Sequence, residues 1–288
     1  MTVQVTFWGV RGSIAAPGEM TARYGGNTPC VVLSGGGNGV LVLDAGTGIR
    51  GFGEWLTAHQ PAARRIDLLL SHVHWDHIQG LPFFKPLYQE GYRISIRGPA
   101  PEGRSLEEVL RQQMDPVVFP VPLTRAGAEV TVDELEPGRM TVSSWTVDAI
   151  RLQHPGVTFG YRVQAGIDGP SIGYLTDNEL GAVDQHGLAS GWYDGITRKM
   201  AGVDVLIHDA MHTDAMQHER NGWGHSTPRE AVALAQACGA KHLVLFHHDP
   251  AHDDPALDRI VKEARDLAAK QDPPLSVDGA REGQTLSL

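Results

Sequence analysis

A single α/β domain is the architecture that the sequence predicts, and three observations predict it. Short apolar runs with strand character alternate with segments that carry helix-start and helix-stop signals along the chain. Five of these runs end in a histidine or an acid: Leu68-Leu-Leu-Ser-His72, Arg151-Leu-Gln-His154, Gly173-Tyr-Leu-Thr-Asp177, Val205-Leu-Ile-His-Asp209 and Leu243-Val-Leu-Phe-His247. No linker or low-complexity tract interrupts residues 1–288, a length that supports one large core. Side chains at the ends of neighbouring strands converge on one rim, so the five endings predict a polar site at one sheet edge.

Residues 2–9 alternate as a first strand, and Val10-Arg-Gly-Ser13 with Pro17-Gly18 reads as loop. The turn-rich Tyr24-Gly-Gly-Asn-Thr-Pro29 feeds a strand at Cys30-Val-Val-Leu33. A glycine-rich turn, Gly35 to Gly39, returns the chain as Val40-Leu-Val-Leu43, which ends at Asp44. Ala45-Gly-Thr-Gly48 opens a helix that reaches Ala58, and Pro61 stops it. A buried strand runs up to Leu70. Pro82 to Tyr88 suits a short helix, and Tyr92 to Arg97 a strand.

Residues 98–128 differ in character, with five prolines, one short helix (Ser105 to Gln113) and the apolar Val117-Val-Phe-Pro-Val121. They read as an excursion, a lid over the site or a subunit contact. Strand pattern returns over Glu129 to Ala165 and again over Ser171 to Thr176. A helix over Trp192 to Met200 and a strand over Val203 to His208 follow. Thr227-Pro-Arg-Glu230 is a capping box with proline at the first helical position, and that helix ends at Gly239. Lys241 to Phe246 is a buried strand, Pro255 to Ala269 a last helix, and Leu286 marks a short closing strand.

The net charge of −10 does not attract a long polyanion, so tRNA, mRNA and duplex DNA are poor partners; a small anionic substrate fits if bound metal reverses the local field. No apolar run is long enough to span a bilayer, and the N-terminus alternates like a strand instead of resembling a signal peptide. A cytoplasmic protein without a membrane partner is expected. Cys30 and Cys238 are the only cysteines, in distant segments, and are expected as free thiols. Exposed Val and Phe within 117–121 would suit a homodimer.

The chemistry concentrates in Ser71-His-Val-His-Trp-Asp-His-Ile-Gln-Gly80, which places His72, His74, Asp76 and His77 within six positions. In extended chain His72 and His74 share a face, and Asp76 and His77 follow where the chain turns. Such clustering is metal-ligand chemistry. His-x-His-x-Asp-His after an apolar strand resembles the signature of the metallo-β-lactamase superfamily. The resemblance implies a four-layer αββα sandwich, the metallo-β-lactamase fold, with a hydrolytic site of one or two metals. Position by position it implies that His72, His74 and His154 hold one ion. Asp76, His77 and His247 hold the other, and Asp177 bridges the two. His247 and His248 are adjacent, and His247 is preferred because it continues the strand and matches the family's histidine. Histidine and aspartate suit two Zn²⁺ ions, while Mn²⁺ and Fe tolerate the same set.

Ile207-His-Asp-Ala210 and Gly224-His-Ser-Thr227 resemble segments of the ribonuclease Z and phosphodiesterase-like branch, with aspartate where glutamate is usual. That implies Asp209 orienting His225, and His225 binding a phosphoryl oxygen or protonating the leaving alkoxide. Tyr24-Gly-Gly-Asn27 carries glycines that let backbone N–H groups approach a phosphate, which makes Asn27 a candidate substrate-binding residue; a plain β-turn serves the same residues. Asp44 would support a ligand histidine, and His208 would support the site or the fold. His186, His212, His218, His242 and His252 receive no role.

The branch whose site uses a thiolate does not fit, because no cysteine lies near Asp177. Flavodiiron proteins place glutamate where His74 stands. Ribonuclease Z itself carries a tRNA-gripping insertion between the positions of His154 and Asp177, which only 22 residues separate here. The expected activity is therefore hydrolysis of a small cyclic or linear phosphodiester by a hydroxide bridging two metals. Hydrolysis of an ester, thioester or lactone is the alternative, and a non-catalytic metal-dependent sensor a second.

Overall fold

Strands that are apolar on both faces must be covered on both faces, and two stacked sheets with helices outside meet that demand. A computed structural model describes residues 2–35, 39–60, 62–181, 188, 191–217, 219–270 and 275–288. The middle of the glycine-rich turn, Pro61, His186 and His218 lie outside the described residues. The first sheet contains β1 (Gln4–Gly9), β2 (Cys30–Ser34), β3 (Gly39–Leu43), β4 (Arg65–Leu69), β5 (Arg93–Pro99), β6 (Glu129–Leu135) and β14 (Thr285–Ser287). The second contains β7 (Gly138–Val142), β8 (Trp145–Arg151), β9 (Phe159–Ala165), β10 (Ser171–Leu175), β11 (Val205–Asp209), β12 (His242–Phe246) and β13 (Ser276–Gly279). Their orders are β14-β1-β2-β3-β4-β5-β6 and β13-β12-β11-β10-β9-β8-β7. β3 to β6 run parallel, as do β10 to β13.

Alternation along each strand sorts side chains between layers. Leu41, Leu43 and Leu69 of the first sheet meet Val205, Ile207, Val244 and Phe246 of the second in a central core. Val40, Val42, Leu68 and Ile96 point the other way, onto α1 (Gly48–His59) and α3 (Leu106–Gln113). On the opposite side Leu206, Leu243 and Leu245 pack on α4 (Trp192–Lys199), α5 (Pro228–Ala237) and α6 (Asp254–Ala268). The result is the four-layer αββα sandwich of the metallo-β-lactamase fold. Among the described residues no helix is long and apolar enough to cross a membrane, and Cys30 and Cys238 are free and buried.

Several local expectations shift. Pro82 to Tyr88 forms two 3₁₀ turns, Leu81–Phe83 and Lys85–Tyr88, because Pro86 in the middle of the segment has no N–H to donate back to the preceding turn. Ser276–Gly279 is an edge strand that its short, glycine-ended sequence did not signal. Most of 98–128 is not an excursion: Leu106, Leu110 and Met114 are fully buried in the outer core, and α3 starts on the Ser105–Glu108 capping box. What stands out from that stretch is Val117 and Val118, 91% and 70% exposed, next to Phe119, whose ring packs edge-on to Phe83 at 5.5 Å.

Candidate metal centre

The five strand endings do meet, but not at the edge of one sheet. His72 follows β4 in the first sheet, whereas His154, Asp177, Asp209 and His247 end or follow strands of the second. The site forms where the aligned ends of both sheets face each other across the central core. One-dimensional reading has no means of assigning strands to sheets. After Leu69 the chain bends at Ser71 and reaches His74 in extended conformation (φ −61°, ψ 152°), the N-cap of the one-turn helix α2 (Trp75–Ile78). The rings of His72 and His74 therefore share a side, with centroids 4.4 Å apart, and the turn brings Asp76 and His77 in from another direction.

Two clusters result, joined by one carboxylate. His72, His74 and His154 offer ligand atoms within 4.8 Å of one another, and so do Asp76, His77 and His247. Between them lies Asp177. Its Oδ1 is 3.9 Å from His72 Nε2 and 3.7 Å from His154 Nε2, while its Oδ2 is 3.1 Å from His77 Nε2 and 3.2 Å from His247 Nε2. The backbone accommodates this at a cost: Asp177 (φ 52°) and His247 (φ 59°) are both left-handed, as is Asp44 (φ 62°). Non-glycine residues avoid that region unless surrounding structure holds them there, and such strain gathers at functional sites.

The donors fit divalent metal ions. Among the described residues His72 Nε2 and His77 Nε2 are buried and face Asp177 oxygens without completing a hydrogen bond, a costly state for a polar atom. Charge makes the same case. Burial pushes His154 down to about 4 and, with repulsion from His77, holds His72 well below its usual range. Burial alone would raise the Asp76 and Asp177 carboxyls, yet the facing His77 and His247 hold both well below the carboxylate range. Conversely, Asp76, Asp177 and Asp44 overcome burial to raise His77, and Asp177, Asp209 and Asp76 raise His247 to about 10. These carboxylates demand positive charge, which a divalent ion held there would supply.

Three of the candidate ligands are oriented from behind. His77 donates through Nδ1 to Asp44 Oδ2 at 2.8 Å, and Asp44 also accepts from Ser71 N, Ser71 Oγ and the Tyr174 hydroxyl. His154 donates through Nδ1 to the Gly224 carbonyl at 3.0 Å. Asp76 Oδ2 accepts from Ser13 N at 2.7 Å. Such partners fix the tautomer and direction of a ligand. His248 is turned away: its Nε2 donates to the Ala280 carbonyl, burial pushes it down to about 3, and so His247 alone of the pair faces the clusters.

Beside the clusters, Asp209 Oδ2 accepts from His225 Nδ1 at 2.7 Å, and Asp209 Oδ1 accepts from Ser226 N and Met211 N. Burial opposes the Asp209 charge, but His225 and His247 more than offset it and hold the carboxyl well below its usual range. The His225 ring stacks on His247 at 5.1 Å, and a nitrogen of it lies within 4.8 Å of ligand atoms of His154 and Asp177. His208 links neighbouring strand ends, accepting from Asn178 Nδ2 and donating to the Asp209 carbonyl. Asn27 is directed elsewhere: its Nδ2 donates to Glu282 Oε2 at 2.8 Å, and its carbonyl accepts from Val10 N and Arg11 N.

Other contributors had no sequence signal. Gly12 and Ser13 form a strap over His247 and Asp76. The buried Arg11 anchors that strap on the carbonyls of Gly25, Asp249 and His252. Glu179 holds the amides of Gly222 and Gly224. His212, given no role by the sequence, stands with its ring 5.3 Å from His225.

The profile of the Beta-lactamase superfamily domain matches residues 40–248, most of the chain. A ribonuclease Z from an Exiguobacterium species is 29% identical over 223 residues, 62% of this chain and 69% of that protein. Yeast PDE1 superposes with a TM-score of 0.70 at 16% identity over the whole of both chains. A diphosphatase of the PhnP family gives 0.67 at 18% identity, covering 99% of this chain and 98% of that one. Profile, sandwich and clustered ligands agree: the chain belongs to the metallo-β-lactamase superfamily of metal-dependent hydrolases.

Proposed function

We propose that this protein is a phosphodiesterase with two divalent ions, most simply Zn²⁺, acting on a small cyclic or linear phosphodiester in the cytoplasm. The observation that carries the reading is the Asp209–His225 pair, held against His247 and His154 beside the joined clusters. His72, His74 and His154 would hold one ion, Asp76, His77 and His247 the other, with Asp177 shared between them. Bound there, divalent ions lower the pKa of water toward neutrality and offset charge gathering on phosphoryl oxygens.

The protein's own residues supply the rest. Asp209 accepts the Nδ1 proton of His225, which fixes the tautomer and leaves Nε2 to face the reacting group. As the bond from phosphorus to the leaving oxygen breaks, His225 delivers a proton to that oxygen. A thioester, whose leaving thiolate needs no such acid, would leave the pair without a task. Likeness to ribonuclease Z supports phosphodiester chemistry, while the net charge of −10 favours a compact anion over tRNA. A second copy of the chain fits the exposed Val117–Val118 face as partner.

The test compares metal-restored protein on bis(p-nitrophenyl) phosphate, p-nitrophenyl acetate and acyl-thioesters. Preference for the diester is expected, with loss on His225→Ala through a weaker hold on the phosphoryl oxygen, since p-nitrophenolate leaves without a proton. Preference for the acyl compounds, indifferent to that substitution, would overturn the reading in favour of a thioester or ester hydrolase. No turnover of any substrate would favour a sensor.

A further inference from the structure

Trp223 is 59% exposed, yet nothing about it is loose. The amides on either side of it, Gly222 N and Gly224 N, donate to the two oxygens of the buried Glu179 carboxylate at 2.7 and 2.8 Å. Its own N–H donates to the Arg220 carbonyl at 3.1 Å. The Arg220 guanidinium lies over the indole at 5.4 Å and is itself held by Asp249 Oδ2 at 3.0 Å. Single exposed apolar side chains are ordinary on a surface and need no explanation. A tryptophan that is mostly exposed although its backbone is held and a guanidinium lies over its ring is different.

Its position gives the fixing a purpose. Gly224, the next residue, accepts the His154 Nδ1 proton through its carbonyl. A side chain at Gly224, which is left-handed (φ +89°), would collide with that ring, since a Cβ would lie 2.0 Å from His154 Nδ1. His225 follows at once. Trp223 thus stands two residues, roughly 7 Å of backbone, from His225, a span that one nucleoside covers. Asp249, which holds Arg220, lies two residues after His247. Both ends of the platform are tied to residues of the metal centre.

We infer that the Trp223–Arg220 pair is a stacking platform for a planar ring of the substrate, a nucleobase, whose phosphate occupies the metal centre. This rests on the phosphodiesterase reading for the phosphate end, while the ring end is tested separately. Indole stacks on any base, the guanidinium behind it adds cation–π attraction, and neither requires a polymer. The chain's charge of −10 disfavours a long nucleic acid but not one nucleotide, whose phosphate meets the metal ions.

Calorimetric titration of metal-loaded protein with adenosine 5′-monophosphate and with ribose 5-phosphate isolates the ring. The intact protein should bind the nucleotide at least tenfold more tightly, equivalent to about 1.4 kcal/mol. Trp223→Ala should bring the two ligands within about twofold at unchanged metal content, and Trp223→Phe should keep most of the preference. Equal affinities in the intact protein, or a preference that survives Trp223→Ala, would overturn the inference. Because binding needs no turnover, an inert bis(p-nitrophenyl) phosphate alongside an intact nucleotide preference would count against the phosphodiesterase reading alone.

Discussion

Gly12→Ala tests the metal centre with one methyl group. Gly12 lies in the strap whose N–H donates to the His248 carbonyl at 2.9 Å, and its backbone is not left-handed, so alanine fits the conformation. The obstacle is His247. A Cβ at position 12 would stand 2.5 Å from His247 Cε1 and Nδ1 and 3.0 Å from Nε2. Carbon contacts settle near 3.5–4.0 Å, so the ring must retreat by about 1 Å. It has little room, being stacked between His225 at 5.1 Å and His77 at 5.4 Å. Metal–ligand distances tolerate about 0.2 Å, and loss of a ligand's supporting geometry typically costs 10–100-fold in metal affinity. The Asp76/His77/His247 cluster should therefore lose its ion at least that readily, while His72, His74 and His154 keep theirs. Overpacking itself costs roughly 1–3 kcal/mol, too little to unfold a domain of this size. Elemental analysis after gel filtration should fall from two ions per chain toward one, with hydrolysis of bis(p-nitrophenyl) phosphate falling in parallel. Gly51→Ala is the control, because its Cβ would meet Trp8 at an ordinary 3.6 Å. Two tightly held ions in Gly12→Ala would refute the assignment of His247.

Three further outcomes are expected. His225→Ala should lower kcat on an alkyl phosphodiester, whose leaving alkoxide needs a proton, by about 10²–10⁴-fold with both ions retained, as for a general acid; metal loss would instead make His225 a ligand. His248 is held neutral in the fold, down to about 3, whereas unfolded histidine titrates near 6.5. The unfolded state therefore binds its proton first, and His248 subtracts stability as pH falls below about 6.5, by about 2 kcal/mol at pH 5. Urea denaturation of chelated protein at pH 7 and 5 should show that loss, and His248→Gln should lack it; parallel behaviour would contradict the buried neutral state. If Val117 and Val118 mediate a dimer, light scattering of the intact chain should give twice the monomer mass and Val118→Asp the monomer mass.

The sequence was legible wherever neighbours along the chain do the work. His72, His74, Asp76 and His77 sit within six positions, so extended chain followed by a turn already implies convergence. Thr227 to Glu230 announces its helix because a capping box is complete within four residues. The endings at His154, Asp177, Asp209 and His247 were visible as polar residues closing apolar runs. Resemblance then supplied the sandwich and the pairing of ligands, neither of which periodicity contains.

What sequence could not supply depends on distant segments meeting. Whether His247 or His248 faces the clusters turns on a left-handed φ of 59° at His247 and on the Ala280 carbonyl, 32 positions beyond His248. Asn27 looked available, but Glu282, 255 positions away, takes its amide. Ser13 acts on Asp76 through a backbone N–H, which no side-chain pattern announces. Glu179, Arg11 and Trp223 matter through what they hold in place, and that is fixed only by packing. Composition, periodicity and short motifs determined the α/β class and the metal-binding character of Ser71–Gly80. Tertiary structure alone decided that the strand ends of two sheets face each other, because only folding brings ligands from opposite halves of the chain into bonding distance.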